Sequence, residues 1–163
     1  MPDRELPAPQ PLVAVRKLVD ALEGSDTFIG LKVRRVDDLL FVEFPATRAD
    51  GAIDHYLTKW SFGYYPEWPP DVTFVSRETL KYDPAAWPKV DNSSIFALHA
   101  VYDGAPAGLI CNSMFFAWYF YGGHGNQPGA SWQAGVHHAS ASVAELKIHL
   151  RPPYYQGPSS AGS

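Results

Sequence analysis

Cys111 is the only cysteine in this chain of 163 residues, and as a thiolate it would be a strong nucleophile. Only a few per cent of an ordinary cysteine is ionised at neutral pH, so a neighbouring imidazole would assist it. The sequence YGGHGNQPGASW places His124 in a glycine-rich loop after the cysteine, and VHHA supplies His137 and His138. These residue types predict nucleophilic catalysis by the thiol, with a histidine as proton acceptor.

The same residues could instead have ordinary structural roles, without any part in catalysis. A lone cysteine beside an apolar run is ordinarily a small buried side chain, and His99, between two apolar residues, is as readily a structural histidine. The spacing of Cys111, His124 and His137 matches no compact zinc motif. We therefore predict no metal and no other cofactor. A cysteine-histidine hydrolase is the weakest alternative. Such an enzyme would need its nucleophile at a helix start or on a strained turn, and the sequence around Cys111 predicts neither.

Composition and charge narrow the classes of function. The chain has 13 basic and 17 acidic residues and a net charge of −4. It therefore lacks the overall positive charge that would attract nucleic acid or an anionic membrane. Its 46% apolar and 14% aromatic content predicts one folded domain over residues 1–163, with frayed ends at about 1–10 and 157–163. The start lacks the pattern of a secretory signal and no cysteine pair exists, which predicts a cytoplasmic protein.

Helices are predicted on either side of a central region. The first opens at Pro11, places Leu12, Val15, Val19 and Leu22 on one face, and ends with Gly24 in the left-handed conformation. The second starts with a capping box of Ser142 and Glu145, buries Val143, Leu146 and Leu150, and ends before Pro152 and Pro153.

Strands are predicted between the two helices at Thr27–Val36, Leu39–Phe44, Ile53–Phe62 and Asp71–Val75. Asp37 and Asp38 form the turn of the first hairpin. The order predicts an antiparallel meander with a helix before and after it, which is an α+β domain. The uncharged run Leu109–Tyr121 is too short for a membrane span, which needs roughly 20 residues, so it predicts core or a partner surface.

The stretch YYPEWPPDVTF, from Tyr64 to Phe74, carries three prolines. Pro66, Pro69 and Pro70 lack backbone donors and cannot lie inside a central ladder, so they must separate the third strand from the fourth. This turn resembles the signature of ubiquitin-conjugating enzymes. The segment Gly108-Leu109-Ile110-Cys111 resembles the motif that carries that family's thioester cysteine, Trp132 resembles its following tryptophan, and Leu150-Arg151-Pro152-Pro153 resembles its next element.

The resemblance covers about residues 11–158 and implies a UBC-like fold. That fold has an N-terminal helix, a four-stranded antiparallel meander, an active-site loop and a central helix. The chain stops soon after the helix, without the two further C-terminal helices of most eukaryotic members. It is in this respect similar to bacterial relatives, which occur with an activating enzyme, a ubiquitin-like modifier and a metal-dependent deconjugating peptidase. The proteins that accompany these relatives suggest a role in antiviral defence.

The resemblance also implies an activity. Cys111 would accept a ubiquitin-like modifier as a thioester from an activating enzyme, which uses the ATP, and would pass it to a lysine amine of a target protein. In that family the first helix docks the activating enzyme, which makes Arg16 and Lys17 candidate partner contacts. A solvated helix face is the alternative interpretation of these two residues.

One family motif is missing. The family has His-Pro-Asn before its cysteine, whereas this chain reads HAVYDGAPAG, with His99 present and Asp103 eight positions before Cys111. A carboxylate has no amide donor and would repel a developing oxyanion. Asn112, Asn126 or backbone N–H groups would have to replace the asparagine. A catalytically silent module that binds a modifier or partner without a covalent bond is therefore the alternative function.

Overall fold

A four-stranded antiparallel sheet forms the centre of the fold. The computed structural model describes residues 5–90, 95–97, 108–120 and 132–159. Its strands β1 (Lys32–Val36), β2 (Leu39–Thr47), β3 (Ile53–Ser61) and β4 (Asp71–Val75) lie side by side in chain order. The predicted meander and the α+β class are confirmed.

The first predicted strand, Thr27–Val36, is wrong over its first half. Asp26–Phe28 form a 3₁₀ turn that begins at Ser25, whose Oγ accepts a hydrogen bond of 3.2 Å from the Thr27 N–H. Gly30 then adopts a φ of +78°, a left-handed conformation that favours glycine. The turn puts Phe28 edge-on against Trp60, with ring centroids 5.0 Å apart.

Strand β2 continues past Phe44, where the sequence predicted its end, and includes Pro45. The missing N–H of Pro45 costs no ladder bond, because β1 begins with Lys32 opposite Glu43 and leaves that side of Pro45 without a neighbouring strand. Strand β3 ends at Ser61, one residue before the predicted end, and β4 has its predicted bounds. The turn between β1 and β2 places Asp37 at a φ of +56°.

Helix α1 (Leu12–Glu23) buries Val15, Val19 and Leu22, as predicted. Leu12, which the pattern placed on the same face, is 45% exposed because it occupies the first turn. Gly24 does not take the left-handed conformation. Its φ is −83°, and its N–H bonds back to the carbonyls of Asp20 and Leu22, so the helix closes in a right-handed turn.

Helix α2 (Phe116–Phe120) lies within the apolar run, and helix α3 (Ala139–His149) follows it in the chain. The predicted capping box of α3 is wrong, because the helix already begins at Ala139 and Ser142 lies inside it. Ser142 is buried, and its hydroxyl donates a 2.7 Å hydrogen bond to the Met114 carbonyl. The predicted apolar face is confirmed by burial of Val143, Leu146 and Leu150.

The core lies between one face of the sheet and the helices. Phe44, Trp60 and Phe74 are fully buried there. Thr58 is a buried polar residue among them, and its Oγ1 donates to the Val42 carbonyl at 2.7 Å while accepting from the Trp60 Nε1–H at 2.8 Å. Both side-chain polar groups are therefore satisfied.

Two short ribbons complete the described fold. Strand β5 (Pro88–Val90) pairs with β8 (Tyr155–Pro158), and β6 (Phe96–Ala97) pairs with β7 (Leu109–Ile110). Gly157 and Pro158, which the sequence places in a frayed tail, instead belong to β8. Within the apolar run Met114, Phe115, Phe116, Ala117 and Tyr119 are buried, so these residues belong to the core. No helix in the described ranges is long and apolar enough to cross a membrane.

A chain of polar side chains joins β8 to the sheet. Arg48 donates two hydrogen bonds of 2.7 and 2.8 Å to the carboxylate of Asp54. The Tyr155 hydroxyl donates to the same carboxylate at 2.6 Å and lies 2.6 Å from the Tyr56 hydroxyl, which must then be its donor. The hydrogen bonds from Arg48 hold the pKa of Asp54 below its usual value.

Candidate active site

Cys111 lies at the point where the ribbon of β6 and β7 ends. Its N–H donates a 2.6 Å hydrogen bond to the Ile95 carbonyl, which extends the ladder by one step. The chain then turns sharply, because the Asn112 Oδ1 accepts a 2.8 Å hydrogen bond from the Met114 N–H. The cysteine is half-buried. A ladder on one side and a turn on the other therefore fix its backbone.

Gly108, the first residue of the cysteine motif, packs against the indole ring of Trp87. A Cβ atom at this position would lie 2.6 Å from Trp87 Cζ2, which is closer than carbon atoms approach without displacement. Trp87 is fully buried and cannot move aside freely. Glycine is therefore required here for close packing.

The proline-rich turn contacts the segments that follow the cysteine. The Pro70 carbonyl accepts a 3.0 Å hydrogen bond from the N–H of Phe116, the first residue of α2. The Pro66 carbonyl accepts one of 2.9 Å from Trp132 Nε1. The Tyr65 hydroxyl accepts one of 3.2 Å from the N–H of Ala139, the first residue of α3. One turn thus satisfies groups at two helix starts and on the tryptophan.

Aromatic contacts reinforce this docking. The rings of Tyr64 and Phe116 are stacked with centroids 4.5 Å apart and planes 6° from parallel. Trp68 lies edge-on to Tyr119 and Phe120 at 5.2 and 5.0 Å. The Tyr119 hydroxyl donates to the Ser113 carbonyl at 2.9 Å and accepts from the Trp132 N–H at 3.0 Å. The ring therefore links the turn after Cys111 with the tryptophan segment.

Burial raises the pKa of the Cys111 thiol above that of an ordinary cysteine. Among the described residues, no side chain forms a hydrogen bond with the thiol. His137 and His138 are among these residues, and their activation of the thiol stays a prediction. An activating group would have to oppose the effect of burial.

Two of the predicted supporting residues are described by the structure. Asn112 uses its Oδ1 in the turn, while its side-chain amide donates no hydrogen bond within the described ranges. His137 accepts a 2.9 Å hydrogen bond from the Gln133 N–H at Nδ1, and its ring lies 5.8 Å from that of Trp132. His137 therefore shapes the tryptophan loop. The other four predicted residues lie outside the described residues: His99, Asp103, His124 and Asn126.

Arg16 and Lys17 are exposed on α1. The Arg16 guanidinium forms hydrogen bonds of 2.8 and 3.1 Å with Asp37 Oδ1, in the turn between β1 and β2. Arg35 of β1 pairs with Asp20, also on the helix. These ion pairs connect α1 to the first hairpin. Arg16 therefore has a structural contact within the chain, in addition to its predicted role as a partner contact.

Two residues near the site, Trp87 and Asp71, were missed by sequence analysis. Trp87 lies in a loop region far before the cysteine in the chain, and only the missing Cβ of Gly108 reveals their contact. Asp71, at the start of β4, is a further titratable residue beside the proline-rich turn. Burial raises the pKa of its carboxyl, and Lys59 on the neighbouring strand opposes that shift. Its placement directly after Pro69 and Pro70 could have drawn attention to it.

The described ranges contain no group of three or more His, Cys, Asp or Glu side chains arranged to hold a metal ion. Comparisons of the chain with protein-family models, with curated proteins and with solved structures gave no match. The function proposed below therefore rests on the motif resemblance and on the geometry around Cys111.

We predict that Gly108→Ala destabilises the protein by about 1–3 kcal/mol, because the added methyl group overpacks the Trp87 ring. Urea unfolding followed by circular dichroism measures the loss. Gly24→Ala is the matched control, since a Cβ there would meet only Asp20 O at 3.7 Å. In the double variant Gly108→Ala/Trp87→Leu the smaller side chain should relieve the clash. Additive losses in that cycle, or no loss in Gly108→Ala, would contradict the packing argument.

We also predict that the thiol of the folded protein ionises at a higher pH than that of the urea-unfolded chain. Alkylation by iodoacetamide reports on Cys111 alone, because the chain has no other cysteine. Restricted access lowers the rate at every pH, whereas a raised pKa moves the midpoint of the rate profile upward. A midpoint in the folded protein below that of the unfolded chain would instead reveal an activating group.

Proposed function

We propose that this chain is a conjugating enzyme for a ubiquitin-like modifier, with a UBC-like fold and Cys111 as the thioester-forming residue. The observation that carries the proposal is the docking of the proline-rich turn. Through Pro66, Pro70 and Tyr65 it contacts the tryptophan, the helix after the cysteine and the last helix. The turn is thus joined to the tryptophan and to the two helices that follow Cys111 in the chain, and the Cys111 thiol is half-buried.

The charging step requires the Cys111 thiol to lose its proton. Its sulfur then attacks the carbonyl carbon of the modifier's C-terminal thioester on the activating enzyme. A new sulfur–carbon bond forms, the bond to the activating enzyme's sulfur breaks, and that sulfur leaves as a thiolate that takes up a proton. The half-exposed position of Cys111 suits an extended C-terminal tail better than a sealed core site would.

The discharge step transfers the modifier from Cys111 to a lysine amine of a target. The uncharged amine attacks the thioester carbonyl carbon and an oxyanion develops. As the amide bond forms, the bond between that carbon and the Cys111 sulfur breaks, and the leaving thiolate takes up the proton that the nitrogen loses. The side-chain amide of Asn112 is the nearest donor in sequence and is not used within the described ranges. We assign oxyanion support to Asn112, with Asn126, which lies outside those ranges, as the alternative donor. His99 and His124, also outside them, are candidates for accepting a proton.

The partners follow from this chemistry. A ubiquitin-like modifier, an ATP-dependent activating enzyme and a lysine-bearing target are required, and the conjugating chain itself needs no cofactor. The exposed residues Arg16 and Lys17 on α1 are the proposed contacts for the activating enzyme. A cytoplasmic setting in a bacterial defence system fits these partners.

The second candidate function is a catalytically silent module that holds a modifier without a covalent bond. It is favoured by the thiol's raised pKa, whose only identified cause is burial. A silent module would keep the turn and the aromatic contacts, because they build the surface, and would not need an ionised cysteine.

Charging is tested by mixing the protein with a ubiquitin-like modifier, its activating enzyme and ATP, and by running a non-reducing gel. We expect an adduct that thiols cleave, that Cys111→Ala abolishes, and that becomes resistant to thiols in Cys111→Lys because an amide replaces the thioester. Binding of the modifier without any adduct in the wild-type protein would contradict the enzymatic proposal and support the silent module.

Discharge to free lysine tests the role of Asn112. Asn112→Asp keeps the Oδ1 acceptor that the turn needs and removes the amide donor. We expect discharge to slow on the order of a hundredfold, as for other lost oxyanion donors, with charging much less affected. Gln156→Glu, an amide-to-carboxylate change at an exposed site on β8, is the control for added charge. Equal discharge rates for Asn112→Asp and the wild type would exclude Asn112 as the donor.

A further inference from the structure

Half of strand β3 has an open edge. Strand β4 begins opposite Ser61 and ends with Val75 opposite Leu57. The residues of β3 before Leu57, from Ile53 to Tyr56, pair with β2 on one side only. This open segment spans about 13 Å, since a strand rises roughly 3.3 Å per residue. It lies at the opposite end of β3 from the proline-rich turn.

The main-chain groups on this edge are those of Ile53 and His55. The Arg48 N–H donates to the Ala52 carbonyl at 2.8 Å and closes the hairpin of β2 and β3. Because bonded and non-bonded pairs alternate in an antiparallel ladder, Asp54 and Tyr56 bond to β2. The N–H and C=O groups of Ile53 and His55 therefore point away from β2. No backbone hydrogen bond from another described segment reaches them.

A cleft of about 440 Å³ runs along Asp54, His55 and Tyr56 of this edge, within the size range of ligand sites in proteins. Its far wall is the loop after β4, the 3₁₀ turn Pro84–Ala86 and the end of β8. Leu57, Val75, Ala85 and Ala86 supply apolar surface. The cleft therefore offers an unpaired strand edge on one wall and apolar contacts on the other.

The charges around the cleft are unbalanced. Arg77 lies 3.0 Å from Glu43, and Arg48 lies 2.7 Å from Asp54, so both guanidinium groups are engaged by carboxylates. No ion pair among the described residues involves Glu78 or Asp83, which also line the cleft. The cleft is lined by three carboxylates (Asp54, Glu78 and Asp83) and one guanidinium group, that of Arg77, which leaves a surplus of negative charge. The imidazole of His55, which also lines the cleft, lies 3.1 Å from Glu43 outside it.

We propose that this cleft binds an extended, lysine- or arginine-bearing peptide segment of a partner protein, which adds as a strand to the open edge of β3. Backbone hydrogen bonds to Ile53 and His55 would supply the affinity, as in other cases of strand addition. The surplus carboxylates would select basic side chains through charge complementarity. This binding does not rest on Cys111 or on the conjugating activity.

The probe is a fluorescently labelled, end-capped heptapeptide, Thr-Lys-Val-Lys-Val-Lys-Thr, whose binding is followed by anisotropy. The first comparison peptide replaces each lysine with glutamate. The second retains the lysines but carries N-methyl groups on the central amides, which prevents strand pairing. We expect the lysine peptide to bind, with higher salt weakening it, and both comparison peptides to bind at least about tenfold more weakly.

Two substitutions at one position test the edge itself. His55→Pro removes the N–H that faces the cleft, whereas His55→Ala removes only the side chain and keeps that N–H. We expect His55→Pro to lower the affinity for the lysine peptide about tenfold. His55→Ala should bind the peptide with nearly the wild-type affinity. Thermal unfolding checks that His55→Pro is folded. If it is not, the N-methylated peptide still tests the same hydrogen bonds.

Charge selection is tested by Glu78→Gln, with Glu23→Gln on α1 as the control. We expect only Glu78→Gln to weaken binding and to reduce its salt dependence. Cys111→Ala should bind the peptide unchanged, which separates this proposal from the conjugating function.

Several outcomes would overturn the proposal: equal binding of the lysine and glutamate peptides, or equal binding of the N-methylated peptide. So would self-association of the protein that His55→Pro abolishes in the absence of peptide binding, because the edge would then belong to a second copy of the chain.

Discussion

Main-chain carbonyls of two prolines hold the candidate site together. A proline has no N–H to give to a ladder, but its carbonyl is a full hydrogen-bond acceptor. In this chain the partners of Pro66 and Pro70 are Trp132 Nε1 and the Phe116 N–H. The turn therefore separates β3 from β4, and it also fixes two segments that follow Cys111 in the chain. The stacking of Tyr64 on Phe116 depends on the same placement.

The sequence predicted the sheet because local signals and tertiary needs agree there. The apolar stretches, the Asp37-Asp38 turn and the prolines each mark a boundary that packing does not override, and β4 has its predicted bounds. Local signals failed where packing decided the outcome. Ser142 and Glu145 have capping spacing, yet burial of Ser142 against Met114 draws it into the helix. Gly24 needs no left-handed conformation, because its N–H reaches carbonyls of the preceding turn.

The candidate site was only partly accessible to sequence analysis. Cys111 and Trp132 could be selected from motifs, whereas Trp87 could not, because its contact with Gly108 joins residues distant in the chain. The histidine pattern predicted a base near the thiol, which stays a prediction; the described part of the chain shows His137 accepting a hydrogen bond from Gln133 in its own loop. Burial of the thiol also has two chemical effects. It lowers the thiolate fraction, and it makes the sulfur a poorer leaving group, so that a thioester at this position would persist longer.

The hydrogen bond between Tyr155 and Asp54 joins residues about a hundred positions apart in the chain. Tyr56, in the middle of the meander, finds its hydroxyl partner only in that same late residue. During synthesis the ribosome releases the whole sheet before it releases β8. Until β8 is released, the Asp54 carboxylate and the Tyr56 hydroxyl therefore lack their hydrogen bonds to Tyr155. Contacts of such long sequence separation form late and slow folding.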